Sequence, residues 1–166
     1  MIKSIVAYAF TCALLLAGQA VTAQETAVAF SGLKHDSNLP VEITADQLSV
    51  DQASGKATFA GNVVIGQGSM RLTAGHVEVI YSSDDSGKIA VLDASNGVTL
   101  TNGGEAVEAN SARYDLNSGE VILAGSVLLT QGSNAISGDK MTIDLETGTG
   151  LIDGRVKTIL QPGRVK

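Results

Sequence analysis

One stretch of this 166-residue chain occurs twice, at positions that lie 64 residues apart. Residues 55–69 read GKATFAGNVVIGQGS and residues 119–133 read GEVILAGSVLLTQGS. Aligned without a gap, residues 45–80 and 109–144 are identical at ten of 36 positions. The identical residues include three glycines and turn-forming Asp and Ser, whereas charged side chains change. A repeat of this kind specifies the shape of the backbone rather than a duplicated catalytic site.

A shorter period lies within this repeat. Ser-Gly or Thr-Gly pairs recur at spacings of 32, 32 and 29 residues, and after three of the four a second glycine follows six residues later. A valine stands two residues beyond that second glycine. The chain therefore contains four units of about thirty residues each. The pairs are Ser54-Gly55, Ser86-Gly87, Ser118-Gly119 and Thr147-Gly148.

Apolar residues alternate with other residues throughout these units, as at Val77, Val79 and Tyr81. A period of two predicts strands with one buried face. Turn sequences rich in Gly, Asn and Asp separate the strands roughly every eight to ten residues. We therefore predict an all-β fold, and the pattern alone is compatible with a sandwich, a roll or a solenoid.

The N-terminal segment has the pattern of a secretory signal peptide. Lys3 precedes an apolar run over residues 5–17, and small residues follow up to Ala23. We predict that residues 1–23 are removed on secretion, although an uncleaved membrane anchor is the alternative for the same run. Residues 24–38 show no clear periodicity and are expected to form a flexible lead-in. We place the folded domain at residues 39–162 and a C-terminal end at residues 163–166.

Composition and motifs give little sign of catalysis. The chain carries 11 basic and 17 acidic residues, and this acidic balance argues against nucleic acid as a partner. The single cysteine, Cys12, lies in the predicted signal, and His35 and His76 are the two histidines. Asp51 and Asp115 occupy equivalent repeat positions before turns, where aspartate commonly caps backbone amides. We therefore expect no enzyme activity, no metal site and no cofactor.

Several motifs resemble those of the OstA-like family. They are LPVEITAD at residues 39–46, FAGNV at residues 59–63 with Gln67-Gly68, Tyr114-Asp115-Leu116 with Gly125 and Gln131, and ISGDKM at residues 136–141. The resemblance covers about residues 39–162. It implies a twisted, half-open antiparallel β-jellyroll of about sixteen strands in the periplasm. The apolar inner face of such a protein holds the lipid A acyl chains of lipopolysaccharide.

The resemblance also implies assembly. Members of the family associate end to end, and the stack bridges the two membranes between an inner-membrane-anchored LptC-like protein and an outer-membrane LptD-like protein. Exposed edge strands can provide such contacts by β-augmentation. We expect the first strand, residues 41–48, and the last, residues 155–160, to be the edges. The candidate interface residues are Val41, Ile43, Ala45, Arg155, Lys157 and Ile159.

The apolar stripe supplies the candidate lipid-binding residues. Read from the sequence alone, the same stripe could simply be the core of a sandwich, and a structural or adhesive secreted β-repeat protein without a lipid ligand is the alternative function. The candidates are Val41, Ile43, Leu48, Val50, Phe59, Val63, Ile65, Leu72, Val77, Val79, Tyr114, Leu116, Leu123, Leu129, Ile136, Met141 and Ile143.

Overall fold

The computed structural model describes residues 28–29, 32–51, 53–83 and 87–161, so the predicted signal peptide lies outside the described residues. The described residues form twelve strands in one antiparallel sheet and contain no helix. The strands are β1 (Val28–Ala29), β2 (Val41–Thr44), β3 (Gln47–Asp51), β4 (Lys56–Gln67), β5 (Met70–Tyr81), β6 (Ile89–Asn102), β7 (Glu105–Ala109), β8 (Ser111–Asp115), β9 (Glu120–Gln131), β10 (Asn134–Asp144), β11 (Thr149–Asp153) and β12 (Lys157–Ile159).

The predicted all-β class is confirmed, whereas the expected count of about sixteen strands is not. Five strands, namely β4, β5, β6, β9 and β10, run for 11 to 14 residues without a break. The predicted first strand over residues 41–48 is in fact two strands, because Ala45 and Asp46 separate β2 from β3. Both of these strands pair with β4, at opposite ends of it.

The five long strands divide the sheet into two arms. Arm 1 contains β2, β7, β12 and the adjoining halves of the long strands, including residues 64–67 of β4. Arm 2 contains β3, β8, β11, β1 and the other halves, including residues 56–60 of β4. The pairing register shifts where the arms meet, between residues 60 and 63, 74 and 76, and 138 and 140. Such bulges bend a strand and increase its local twist.

A glycine backed by an Asp or Asn side chain lies at two of these bends and again between β11 and β12. Gly61 has a φ of +76°, and a Cβ added there would lie 2.5 Å from Asp46 Oδ2. The Asp46 amide donates to the carbonyl of Gly61, with an N···O distance of 2.9 Å. The same arrangement recurs at Asn110 with Gly125 and at Asp139 with Gly154, again 15 residues apart. The repeated glycines are therefore required by the bends.

Aspartates at the ends of strands cap the turns, as predicted. Asp51 Oδ1 accepts from the Ala53 amide at 2.9 Å, and Asp115 Oδ1 accepts from the Asn117 amide at 2.9 Å. Hydrogen bonds from the Ser54 hydroxyl and the Ala53 amide lower the pKa of Asp51 below its usual 3.8. Because these carboxylates serve the backbone of their own turns, their spacing in the repeat reflects structure.

The core fills the face of the sheet that lies between the two arms. It is built from alternate residues of the strands of both arms, as the period of two requires.

The two ends of the sheet do not pair with each other in the described residues, so the jellyroll is open. β2 and β3 form the N-terminal end. β12 and β11 form the C-terminal end, where the short β1 pairs with residues 149–150 of β11.

Candidate functional site

Ten of the candidate lipid-binding residues lie in the closed part of the core. Each of them has at most 2% of its surface exposed. In this conformation their side chains pack against one another and therefore contribute to stability. They are Val63, Ile65, Leu72, Val77, Val79, Tyr114, Leu123, Leu129, Met141 and Ile143.

The interior is accessible at its N-terminal end, which we call the N-terminal margin: Val41, Ile43, Leu48, Val50 and Phe59. Leu48 and Val50 on β3 lie opposite Phe59 and Ala57 of β4, and directly opposed residues share a face of the sheet. Ala57 belongs to the core. Leu48 and Val50 therefore face the interior, yet they are 58% and 63% exposed. Val41, Ile43 and Phe59 are half-buried against the core.

The C-terminal end of the sheet has a similar but smaller apolar margin. Ile136 on β10 and Ile152 on β11 lie opposite Leu129 and Met141, so both face the interior, and both are half-buried. The candidate Leu116 is likewise half-buried against the core. Leu160 follows β12 and is 67% exposed.

The candidate interface residues lie at the two ends of the sheet, with different surroundings. Val41 and Ile43 lie on β2, which in the described residues pairs with β4 alone, and Ala45 directly follows β2. Lys157 and Ile159 lie on β12, which pairs with β10 in the same part of the chain. Arg155 already has an acidic partner within this chain, since its Nη2 lies 3.0 Å from Asp139 Oδ1.

Part of the segment that we expected to be a flexible lead-in lies across the opening between the arms. We call residues 32–39 the strap. Leu33 is fully buried in the core, and His35 is 8% exposed. The His35 amide donates to the carbonyl of Leu145, at the far end of arm 2, with an N···O distance of 2.7 Å. The domain boundary expected at residue 39 therefore leaves out residues that pack with the core.

Buried polar side chains at the end of arm 1 hold the strap. Gln67 Nε2 donates to the carbonyls of Ser37 and Leu39, both at 2.8 Å. Asn102 Nδ2 donates to the carbonyl of Lys34 at 3.3 Å. Gln67 and Asn102 are 1% and 4% exposed, so these bonds are shielded from water.

Tyr114 connects the two arms beside the strap. Its hydroxyl, on arm 2, donates to Gln67 Oε1 on arm 1 at 2.8 Å. Burial raises the pKa of Tyr114 to about 12, so the hydroxyl remains a donor at neutral pH. The Tyr114 bond occupies the amide oxygen of Gln67, which directs the amide nitrogen toward the strap.

Sequence patterns did not predict this polar cluster. Gln67 is one of the repeated residues, but its counterpart Gln131 binds Glu105 instead of the strap. The available signal was the single Leu33 in a segment without periodicity, and one apolar residue specifies no partner. The cluster depends on contacts between residues 28 to 68 positions apart.

The described residues contain no group of three His, Cys, Asp or Glu side chains arranged to hold a metal ion. In that part of the chain, no helix has the length and apolarity needed to cross a membrane. A shallow pocket of about 370 Å³ lies at the bend of β4 and β5, lined by Asn62, Val63, Val64, Thr73, Ala74, Gly75 and Gly97.

Comparison with known proteins assigns the fold and the family. The model of the family described as LptA/(LptD N-terminal domain) LPS transport protein matches residues 42–149. The chain belongs to this family. The match begins within β2 and includes β3 to β10 in full, but it does not include the strap.

Individual relatives agree with this assignment. An uncharacterized protein of Rhizobium meliloti (strain 1021) is 31% identical over 116 residues, which are 66% of this chain and 62% of that protein. The lipopolysaccharide export system protein LptA of Escherichia coli (strain K12) is 31% identical over 118 residues, which are 68% of this chain and 62% of LptA. The chain thus aligns with about three fifths of the length of these relatives.

A solved structure shares the fold. The crystal structure of LptH, described as the LptA homologous periplasmic component of the lipopolysaccharide transport device of Pseudomonas aeruginosa, superposes with a TM-score of 0.68. The sequences are 19% identical, and the match covers 76% of this chain and 99% of LptH. The OstA-like family and half-open jellyroll predicted from the sequence are confirmed.

Proposed function

We propose that this protein binds lipopolysaccharide in the periplasm and carries it between the inner and outer membranes. The observation that carries the proposal is the N-terminal margin, where interior-facing Leu48 and Val50 are more than half exposed. Apolar side chains on the interior face of an open jellyroll would bind acyl chains without any chemical reaction. The names of LptA and LptH, which refer to lipopolysaccharide export and transport, support this choice of ligand.

The hydrophobic effect explains why such a protein would work as a path rather than as a shuttle. Each methylene removed from water contributes about 0.8 kcal/mol, so a chain of a dozen methylenes contributes roughly 10 kcal/mol. A lipid with several chains would leave such an interior for water extremely slowly. It would move between similar apolar surfaces at little net cost, provided that the surfaces are continuous.

The open ends of the sheet provide a means of making the surfaces continuous. In the proposal, β2 and β3 of one copy associate with the C-terminal end of another, and the stack connects an LptC-like protein to an LptD-like protein. Val41, Ile43 and Ala45 would contribute at one end, with Arg155, Lys157 and Ile159 at the other. Backbone groups at exposed edges are available for this kind of pairing.

Substitution of Leu48 by aspartate tests the proposal. Leu48→Asp places a charge at the margin on a strand that is already exposed, so the fold should be retained, and we expect lipopolysaccharide binding to fall about tenfold. Ser49→Asp is the matched control, because this substitution adds the same charge on the opposite face of β3. Co-purification of lipopolysaccharide with each variant measures the effect.

Equal loss of binding in both variants would show that a charge on either face of β3 weakens lipopolysaccharide binding, and this would contradict a lipid contact specific to the interior face. Absence of binding by the unmodified protein would favour the alternative, a structural or adhesive β-repeat protein without a lipid ligand.

A further inference from the structure

The strap has two features of a bound acyl chain, namely an apolar group in the interior and carbonyls at its polar border. Leu33 is fully buried among core side chains, although it belongs to a segment without strand pairing. Its neighbours in the strap offer three carbonyl oxygens, those of Lys34, Ser37 and Leu39, to the side chains of Gln67 and Asn102. The interior therefore already accommodates an aliphatic group together with adjacent carbonyls.

Acyl chains of a glycolipid bring the same pair of groups. An amide or ester carbonyl joins each chain to the sugar, directly beside the apolar methylenes. We propose that the strap occupies the place of the lipid in the empty protein. On lipid binding the strap leaves, an acyl chain replaces Leu33, and the amide nitrogens of Gln67 and Asn102 donate to the linkage carbonyls. The inference rests on the proposed function and assigns it a carbonyl-binding subsite.

The bonding of the strap is consistent with a contact that opens. Two buried side-chain atoms, His35 Nε2 and Glu105 Oε2, have no hydrogen-bond partner in the described residues. Both side chains belong to the closed contact, since His35 is in the strap and Glu105 Oε1 accepts from the strap amide of Gly32 at 3.4 Å. A buried polar atom without a partner opposes the closed state, because opening would return it to water.

A disulfide that holds the strap closed tests the proposal. A Cβ added at Gly119, in the turn between β8 and β9, would lie 3.9 Å from the Cβ of Ser37. This separation is within the range for disulfides. The variant Ser37→Cys/Gly119→Cys, in a Cys12→Ala background, would join the strap to the end of arm 2. The carbonyls of Ser37 and Leu39 would then remain hydrogen-bonded to Gln67 Nε2.

Binding of purified lipopolysaccharide is measured for the oxidised and reduced forms of this variant. We expect at least tenfold weaker binding when the disulfide is formed, and recovery on reduction. The variant with only Gly119→Cys controls for strain, because Gly119 has a φ of +67°. Equal binding by both forms would overturn the strap proposal and leave the proposed function intact. If neither form of the variant nor the unmodified protein binds lipopolysaccharide, both the strap proposal and the proposed function are overturned.

Hydrogen exchange gives a second, independent readout on the unmodified protein. The amide of His35, bonded to Leu145, should exchange faster once lipopolysaccharide is bound, while amides in β5 and β6 should keep their protection. Unchanged or slower exchange at His35 in the bound protein would show that the strap is a permanent part of the core.

Discussion

At the scale of single residues, the bends of the long strands depend on glycines that accept a close neighbour. Gly61 combines a positive φ with the nearby carboxylate of Asp46, which also accepts from Asn62 Nδ2 at 2.8 Å. Asn62 itself has a φ of +45°. This backbone conformation is unfavourable for residues with a Cβ, so the local network must hold it in place.

Replacing Gly61 by alanine should therefore cost more stability than replacing a glycine in an open turn. For Gly61→Ala we expect a loss of about 2–3 kcal/mol in the free energy of unfolding, from the positive φ and the displaced Asp46. Gly55→Ala is the control, since its φ is +64° and an added Cβ would meet nothing within 4 Å. That substitution should cost about 1 kcal/mol.

Urea denaturation of both variants measures the difference. Equal losses would indicate that the positive φ alone, without the approach of Asp46, decides the cost.

At the scale of elements, alternation and turn residues predicted most strands but not their relation to one another. The period of two at Val77 and Val79 correctly predicted a strand with one buried face. The same alternation could not separate closed core from open margin: Leu48 has the apolar character of Ile65, yet only Leu48 lies at an open end of the sheet. That distinction depends on which strands lack a second neighbour, and this is a property of the complete sheet.

The C-terminal end strand should be sensitive to loss of backbone pairing. Ile159→Pro removes an amide from β12 and should weaken self-association, because proline cannot donate in a sheet ladder. Ile159→Thr keeps the amide and should associate nearly as well as the unmodified protein if backbone pairing provides the contact. Sedimentation velocity measures association, and circular dichroism checks that each variant is folded. Normal association of the proline variant would contradict the assignment of β12 as an interface.

At the scale of the whole molecule, the two ends of the sheet do not pair with each other in the described residues, and the strap lies across the opening between the arms. The family resemblance predicted the open jellyroll, because its motifs fall at the bends, as at Gly61, and in the end strands. The strap could not be predicted from the sequence, since its contacts are made largely by backbone amides and carbonyls and by the apolar side chain of Leu33. Long-range polar contacts of this kind have no periodic signal.

The central claim is that the interior face of the N-terminal margin contacts lipid in the cell. The most direct measurement is photocrosslinking in the intact cell envelope, with a photoreactive residue at Leu48 or, as control, at the adjacent Ser49. Their side chains point to opposite faces of β3, and both positions are exposed. The account predicts a crosslink to lipopolysaccharide from position 48 and little or none from position 49. Equal crosslinking from both positions, or none from position 48 in a folded protein, would contradict it.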